Sequence, residues 1–142
     1  MTTPLPTERF RRQHQELLVL AEQITKLLDP AKLSEDASEV RRLVAKFRGL
    51  LVVHARMENE ALYPRLLAHP DAAVRDKVAA IFADVGPIYD GVDGYSSRWP
   101  SADAIQADAA AFIRDTKGIM RTLGARVVRE NAELYPLADS LG

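Results

Sequence analysis

The phrase Glu-Asn-x-x-Leu-Tyr-Pro occurs twice, at Glu58–Pro64 and again at Glu130–Pro136. No other feature constrains the fold as strongly. The copies stand one helical hairpin apart, so the chain reads as a hairpin followed by its structural duplicate. Each copy sets a proline about a turn and a half after a carboxylate. Upstream, the copies diverge. Four residues before Glu58 lies His54, and four before Glu130 lies Arg126. One half therefore carries an imidazole and a carboxylate on one helix face, and the other replaces the imidazole with a permanent cation.

Proline and aspartate punctuation sets the remaining frame. After Pro4 and Pro6 the spacing predicts a helix over roughly 7–28 that stops at Asp29-Pro30. A second is expected over 36–68, with Pro64 opening its last turn. A third runs over 71–98, with Asp71 as N-cap and an interruption at Gly86-Pro87. Trp99-Pro100-Ser101 breaks it, a short turn follows, and Asp108 caps a fourth over 108–135. The expected architecture is all-α, an up-down-up-down four-helix bundle formed by a single domain over residues 1–142.

Stepping by threes and fours gives the inward stripes. They are Phe10, His14, Leu17, Ala21, Ile24 and Leu28; then Val40, Val44, Phe47, Leu51, His54, Glu58 and Ala61. The third stripe is Val74, Val78, Ile81, Val85, Ile88, Val92, Tyr95 and Trp99, and the fourth is Phe112, Thr116, Ile119, Leu123, Arg126 and Glu130. Five polar residues thus occupy apolar positions. An uncompensated carboxylate there costs on the order of several kcal/mol, so something must neutralise Glu58 and Glu130.

The bulk numbers narrow the partners. A net charge of −1 leaves no basic excess for nucleic acid. With no cysteine, thiolate metal sites, iron–sulfur clusters and cysteine nucleophiles are excluded. No apolar run reaches the length of a membrane span, and the start lacks a signal-peptide pattern, so a cytoplasmic location is expected. No nucleophile paired with a base, phosphate loop or dinucleotide fingerprint points to an enzyme. A small-ligand or protein partner is left open. The runs Arg9–Arg12 and Glu35–Arg42 read as solvated helix faces.

Residue by residue, the arrangement resembles the hemerythrin-like family of HHE cation-binding domains. His14 matches the family's first-helix histidine, and His54-Ala-Arg-Met-Glu58 before Leu62-Tyr63-Pro64 matches the second-helix motif. Glu130 before Leu134-Tyr135-Pro136 matches the fourth. The resemblance implies a bundle holding non-haem iron, with oxygen- or iron-related sensing or storage as the associated roles. Two positions depart from it. Val85 stands where the family has a histidine before Gly-Pro-Ile, and Arg126 where it has the fourth-helix histidine. Neither side chain can ligate. The resemblance therefore implies a degenerate centre with ligands for one ion, His14, His54, Glu58 and Glu130, and disfavours dinuclear iron.

Three states stay open. One divalent ion, Fe, Mn or Zn, sits on those four residues; or no metal binds and Arg126 bridges Glu58 and Glu130; or both hold together. The second state would make the chain a helical interaction or small-ligand module. Tyr89 could lend an oxygen from just off the seam. Tyr63 and Tyr135 are expected to pack at helix ends and steady the site through their hydroxyls. His69 reads as a connector residue, and Trp99 as the plug of one bundle end.

Overall fold

A computed structural model describes residues 7–85 and 88–141, apart from the side chains at 85 and 88–90. The expected interruption at Gly86-Pro87 and the side chains of Val85 and Tyr89 lie outside the described residues. The first rod is α1 (Thr7–Lys26), followed by a short α2 (Pro30–Glu35). The second joins α3 (Ser38–Met57) through a π-helical turn, Glu58–Leu62, to α4 (Tyr63–Leu67). The third comprises α5 (Ala72–Val85) and α6 (Ile88–Arg98). After α7 (Ala102–Ala107), the fourth joins α8 (Ala109–Arg129) through a second π turn, Glu130–Leu134, to α9 (Tyr135–Leu141). The result is an all-α bundle, with no strand among the described residues.

Caps explain where the rods begin. Asp108 accepts the Ala111 N–H to open α8, and Asp71 accepts the Ala73 N–H at the start of α5. Asp29-Pro30, expected only to stop the first helix, also starts another. Asp29 Oδ1 accepts from the N–H groups of Ala31 and Lys32, and Pro30 sits in the first turn, where a missing N–H costs nothing. The turn expected after Trp99 is helical too, capped by Ser101. The fourth rod runs past Tyr135 to Leu141, since a proline in the first turn of α9 does not stop a helix.

The two π turns have a common cause. Pro64 and Pro136 have no N–H to give, and their rings crowd the carbonyl four residues back. Each rod widens by one residue just before the proline. The Tyr63 N–H bonds to the Glu58 carbonyl and the Tyr135 N–H to that of Glu130, a reach of five residues. In an α-helix a residue five positions on is turned about 140° away; the wider turn reduces that angle. Glu58, Leu62 and Tyr63 are consequently all buried, as are Glu130, Leu134 and Tyr135. Ala61, expected on the seam, is exposed because regular spacing ends at Glu58.

Two apolar clusters fill the interior. The larger includes Leu17, Phe47, Leu51, Trp99, Phe112 and Leu123. The smaller includes Phe10, Leu62, Leu66, Ile81, Leu134 and Tyr135. Trp99 lies edge-on to Phe112 and donates its indole N–H to Asp115 at 3.1 Å. Along each contributing rod, the polar residues fall between the clusters: His14 between Phe10 and Leu17, His54 between Leu51 and Leu62, Arg126 between Leu123 and Leu134. They form a polar layer in an otherwise apolar core. No described helix is long and apolar enough to cross a membrane.

Candidate metal centre

His14 comes from α1, His54 from the last turn of α3, Arg126 from the end of α8, and Glu58 and Glu130 from the first residues of the two π turns. All five are buried: both glutamates are 0% exposed, both histidines 1%, and the arginine 4%. One ligand atom from each of His14, His54, Glu58 and Glu130 lies within 4.8 Å of all the others. His69 is not in this group; its Nδ1 accepts the Asp71 backbone N–H in the connection before α5.

The ring nitrogens define the chemistry. His14 Nδ1 lies 2.9 Å from Asn131 Oδ1, and His54 Nδ1 lies 2.6 Å from Gln13 Oε1. An amide oxygen only accepts, so each Nδ1 carries a hydrogen, and each neutral ring keeps its lone pair on Nε2. Those two Nε2 atoms face each other at 3.0 Å. Two opposed lone pairs in a dry core require an electrophile between or beside them. Glu58 Oε1 is 2.6 Å from His54 Nε2, and Glu130 Oε1 is 3.2 Å from His14 Nε2. Despite that proximity, Glu130 Oε1 accepts no well-directed hydrogen bond.

Arg126 closes the other side. Its Nη2 stands 3.4 Å from Glu58 Oε1 and 3.3 Å from Glu130 Oε2, while its Nε is 3.3 Å from Glu130 Oε1. One guanidinium thus faces both carboxylates. The duplicated phrase also produces a reciprocal exchange. Tyr63, from the first copy, donates to Glu130 at 3.1 Å, and Tyr135, from the second, donates to Glu58 at 3.1 Å. Tyr135 Oη also lies 3.1 Å from His14 Nε2.

Electrostatics divides the two acids. Burial pushes Glu58 above the usual carboxylate range, only partly offset by His54. Burial acts on Glu130 likewise, but His14, His54, Glu58 and the Arg126 charge together hold it well below that range. Burial also opposes charge on His54; contact with Glu130 and Glu58 outweighs it and brings its pKa to about 9. Without a metal, then, a proton on His54 supplies the required electrophile. Burial, reinforced by the neighbouring glutamates, drives Tyr63 far upward and keeps its hydroxyl a donor.

Gln13 and Asn131 are the functional residues that sequence reasoning passed over. Both precede or follow a seam residue directly, and each reaches an imidazole on a different rod. Asn131 belongs to the duplicated phrase, which was the available signal; Gln13 offered none beyond adjacency to His14. Gln13 is itself steadied by a contact from its Nε2 to Met57 Sδ at 3.3 Å.

A family model described as the hemerythrin HHE cation binding domain matches residues 5–138 of the chain. No curated protein and no solved structure gives a significant match.

Proposed function

The chain belongs to the hemerythrin HHE cation-binding domain family, and from that premise we propose that it holds a single divalent ion on His14, His54, Glu58 and Glu130. Arg126 takes the place of a second ion. The observation that carries this reading is the pair of Nε2 atoms opposed at 3.0 Å, with Nδ1 of each ring engaged by an amide oxygen. Amide partners of this kind fix the tautomer and turn the free nitrogen toward a metal. Glu130 Oε1, paired with the Arg126 charge but without a well-directed hydrogen bond, adds an anionic donor at the same point. Two imidazoles and two carboxylates suit Fe(II), Mn(II) or Zn(II). When bound, such an ion supplies Lewis acidity, and iron or manganese adds one-electron redox chemistry. The residues around it exclude water, fix both imidazoles, and offer donors from Tyr63 and Tyr135.

Among the described residues, the set does not fit two ions. Arg126 already spans both carboxylates, and its guanidinium has no lone pair. Oxygen- or iron-related sensing or storage therefore extends to this chain only through a one-ion centre. A second reading draws on the same arginine: with His54 protonated, Arg126 balances the acids without metal, and the domain serves as a helical interaction or small-ligand module.

Metal analysis of protein purified without chelator, followed by calorimetric titration with Fe(II), Mn(II) and Zn(II), separates them. The expected result is about one ion per chain, lost in His54→Ala and weakened about 10–100-fold in Gln13→Ala. Less than about a tenth of an equivalent, with no uptake on reconstitution, would leave only the second reading. Uptake of two ions would refute the role given to Arg126.

A further inference from the structure

Among the described residues, Arg126 is the single lysine or arginine that is buried, and Glu58 and Glu130 are the only buried acids. Other charges on the same rods meet solvent and are paired there. Arg129 lies against Asp84 and Glu133, and Arg11 against Asp139. Water and salt screen pairs of that kind, but they do not screen a charge inside the bundle. The electrostatics of the centre are therefore set by two carboxylates and one guanidinium.

The guanidinium reaches the same oxygens that face the imidazoles. Glu58 Oε1, 2.6 Å from His54 Nε2, is 3.4 Å from Arg126 Nη2. Glu130 Oε1, 3.2 Å from His14 Nε2, is 3.3 Å from Arg126 Nε. The other two oxygens are shared as well. Tyr135 donates to Glu58 Oε2, while Tyr63 and Arg126 Nη2 both donate to Glu130 Oε2. All four carboxylate oxygens thus meet a donor, which draws negative charge away from any ion they hold.

The three charged groups carry one net negative charge between them. A divalent ion turns this into one positive charge, and a trivalent ion into two. The excess sits in a core closed to water, where uncompensated charge is most costly. On the basis of the one-ion reading of this site, we infer that Arg126 is its specificity-determining residue, selecting divalent over trivalent ions and holding bound iron in the ferrous state. Reduction adds one electron to the ion and lowers the buried charge by one, so a fixed cation beside it favours that direction.

Full-length protein is loaded with one equivalent of iron, and its midpoint potential is read by spectroelectrochemistry, with the electrode supplying the electron. Arg126→Gln and Arg126→Lys are read beside it. Glutamine keeps a polar side chain without the charge, and lysine keeps the charge without the fork. Arg126→Gln should raise the ratio of ferric to ferrous affinity by about tenfold or more, which lowers a one-electron potential by about 59 mV or more. Arg126→Lys should stay close to wild type, whereas a merely structural arginine would leave the potential alike in both variants. Circular dichroism identifies a variant that does not fold. The wild type then decides by itself, against a water-soluble chelator with two imidazoles, two carboxylates and no cation. Its preference for Fe(II) over Fe(III) should exceed the chelator's by about tenfold or more. A preference equal to the chelator's, or an unchanged potential in folded Arg126→Gln, would overturn the inference and leave the one-ion reading standing. Folded wild type that takes up no Fe(II) sinks the inference; if it refuses Mn(II) and Zn(II) too, the one-ion reading falls with it.

Discussion

At the scale of single residues, the polar layer depends on Arg126. Two carboxylates with no exposed surface sit against one guanidinium that is itself 4% exposed. Removing one member of a buried, hydrogen-bonded ion group typically costs about 3–5 kcal/mol, because the remaining charge is left without compensation. Arg126→Met keeps the unbranched apolar stem of the side chain while deleting the charged guanidinium. In metal-free buffer it should lower unfolding free energy by about that amount in urea melts, and a divalent ion should recover part of the loss. A change below about 0.5 kcal/mol would mean that the acids are neutralised by something else. Helix arithmetic in the sequence was enough to place His14, His54, Glu58, Arg126 and Glu130 at one depth, because steps of three and four hold along α1, α3 and α8. It could not supply Gln13 or Asn131. Their role comes from reaching across to another rod, and a distance between rods is not written in the spacing of either one.

At the scale of elements, the fold was legible wherever the helical period was unbroken, and it failed where proline altered that period. Regular spacing carries the second stripe through Leu51, His54 and Glu58 and then names Ala61. The π turn moves the next inward positions to Leu62 and Tyr63. Likewise, Asp29-Pro30 reads equally well as a stop or as a cap with proline in the first turn, and only packing of Leu33 into the core decides for a helix. The π turn predicts opposite fates for two adjacent side chains. Ala61→Glu should shift stability by no more than about 0.5 kcal/mol, as befits an exposed position. Leu62→Ala should cost about 2–5 kcal/mol, since Leu62 is 1% exposed. A regular α-helix through this segment reverses the order. If chemical denaturation finds Ala61→Glu the more damaging of the two, the wide turn does not exist in solution, and the reciprocal bonds from Tyr63 and Tyr135 lose their structural basis.

At the scale of the whole molecule, the polar layer divides two apolar clusters, and the bundle must remain folded in every state of the site. The internal cations make this possible. Arg126 is permanently charged, and His54, raised to about 9, holds a proton at neutral pH when no ion is present. A divalent ion held by His14, His54, Glu58 and Glu130 would take the place of that proton and leave the arginine where it is. Metal should therefore stabilise the domain without being required for folding, unlike a small zinc-dependent domain that collapses without its ion. Quantitatively, an ion at a hundred times its dissociation constant adds about 2.7 kcal/mol to the native state. For a chain of this size, that corresponds to a rise of roughly 5–10 °C in the melting temperature. Differential scanning calorimetry in Zn(II) or Mn(II), with and without chelator, reads both parts of the argument. The expected pattern is a cooperative transition under chelator that moves upward as metal is added, by less in His54→Ala. Loss of the cooperative transition under chelator would show that Arg126 and a proton cannot balance the acids by themselves. A transition that metal leaves in place would show that the opposed imidazoles hold only a proton.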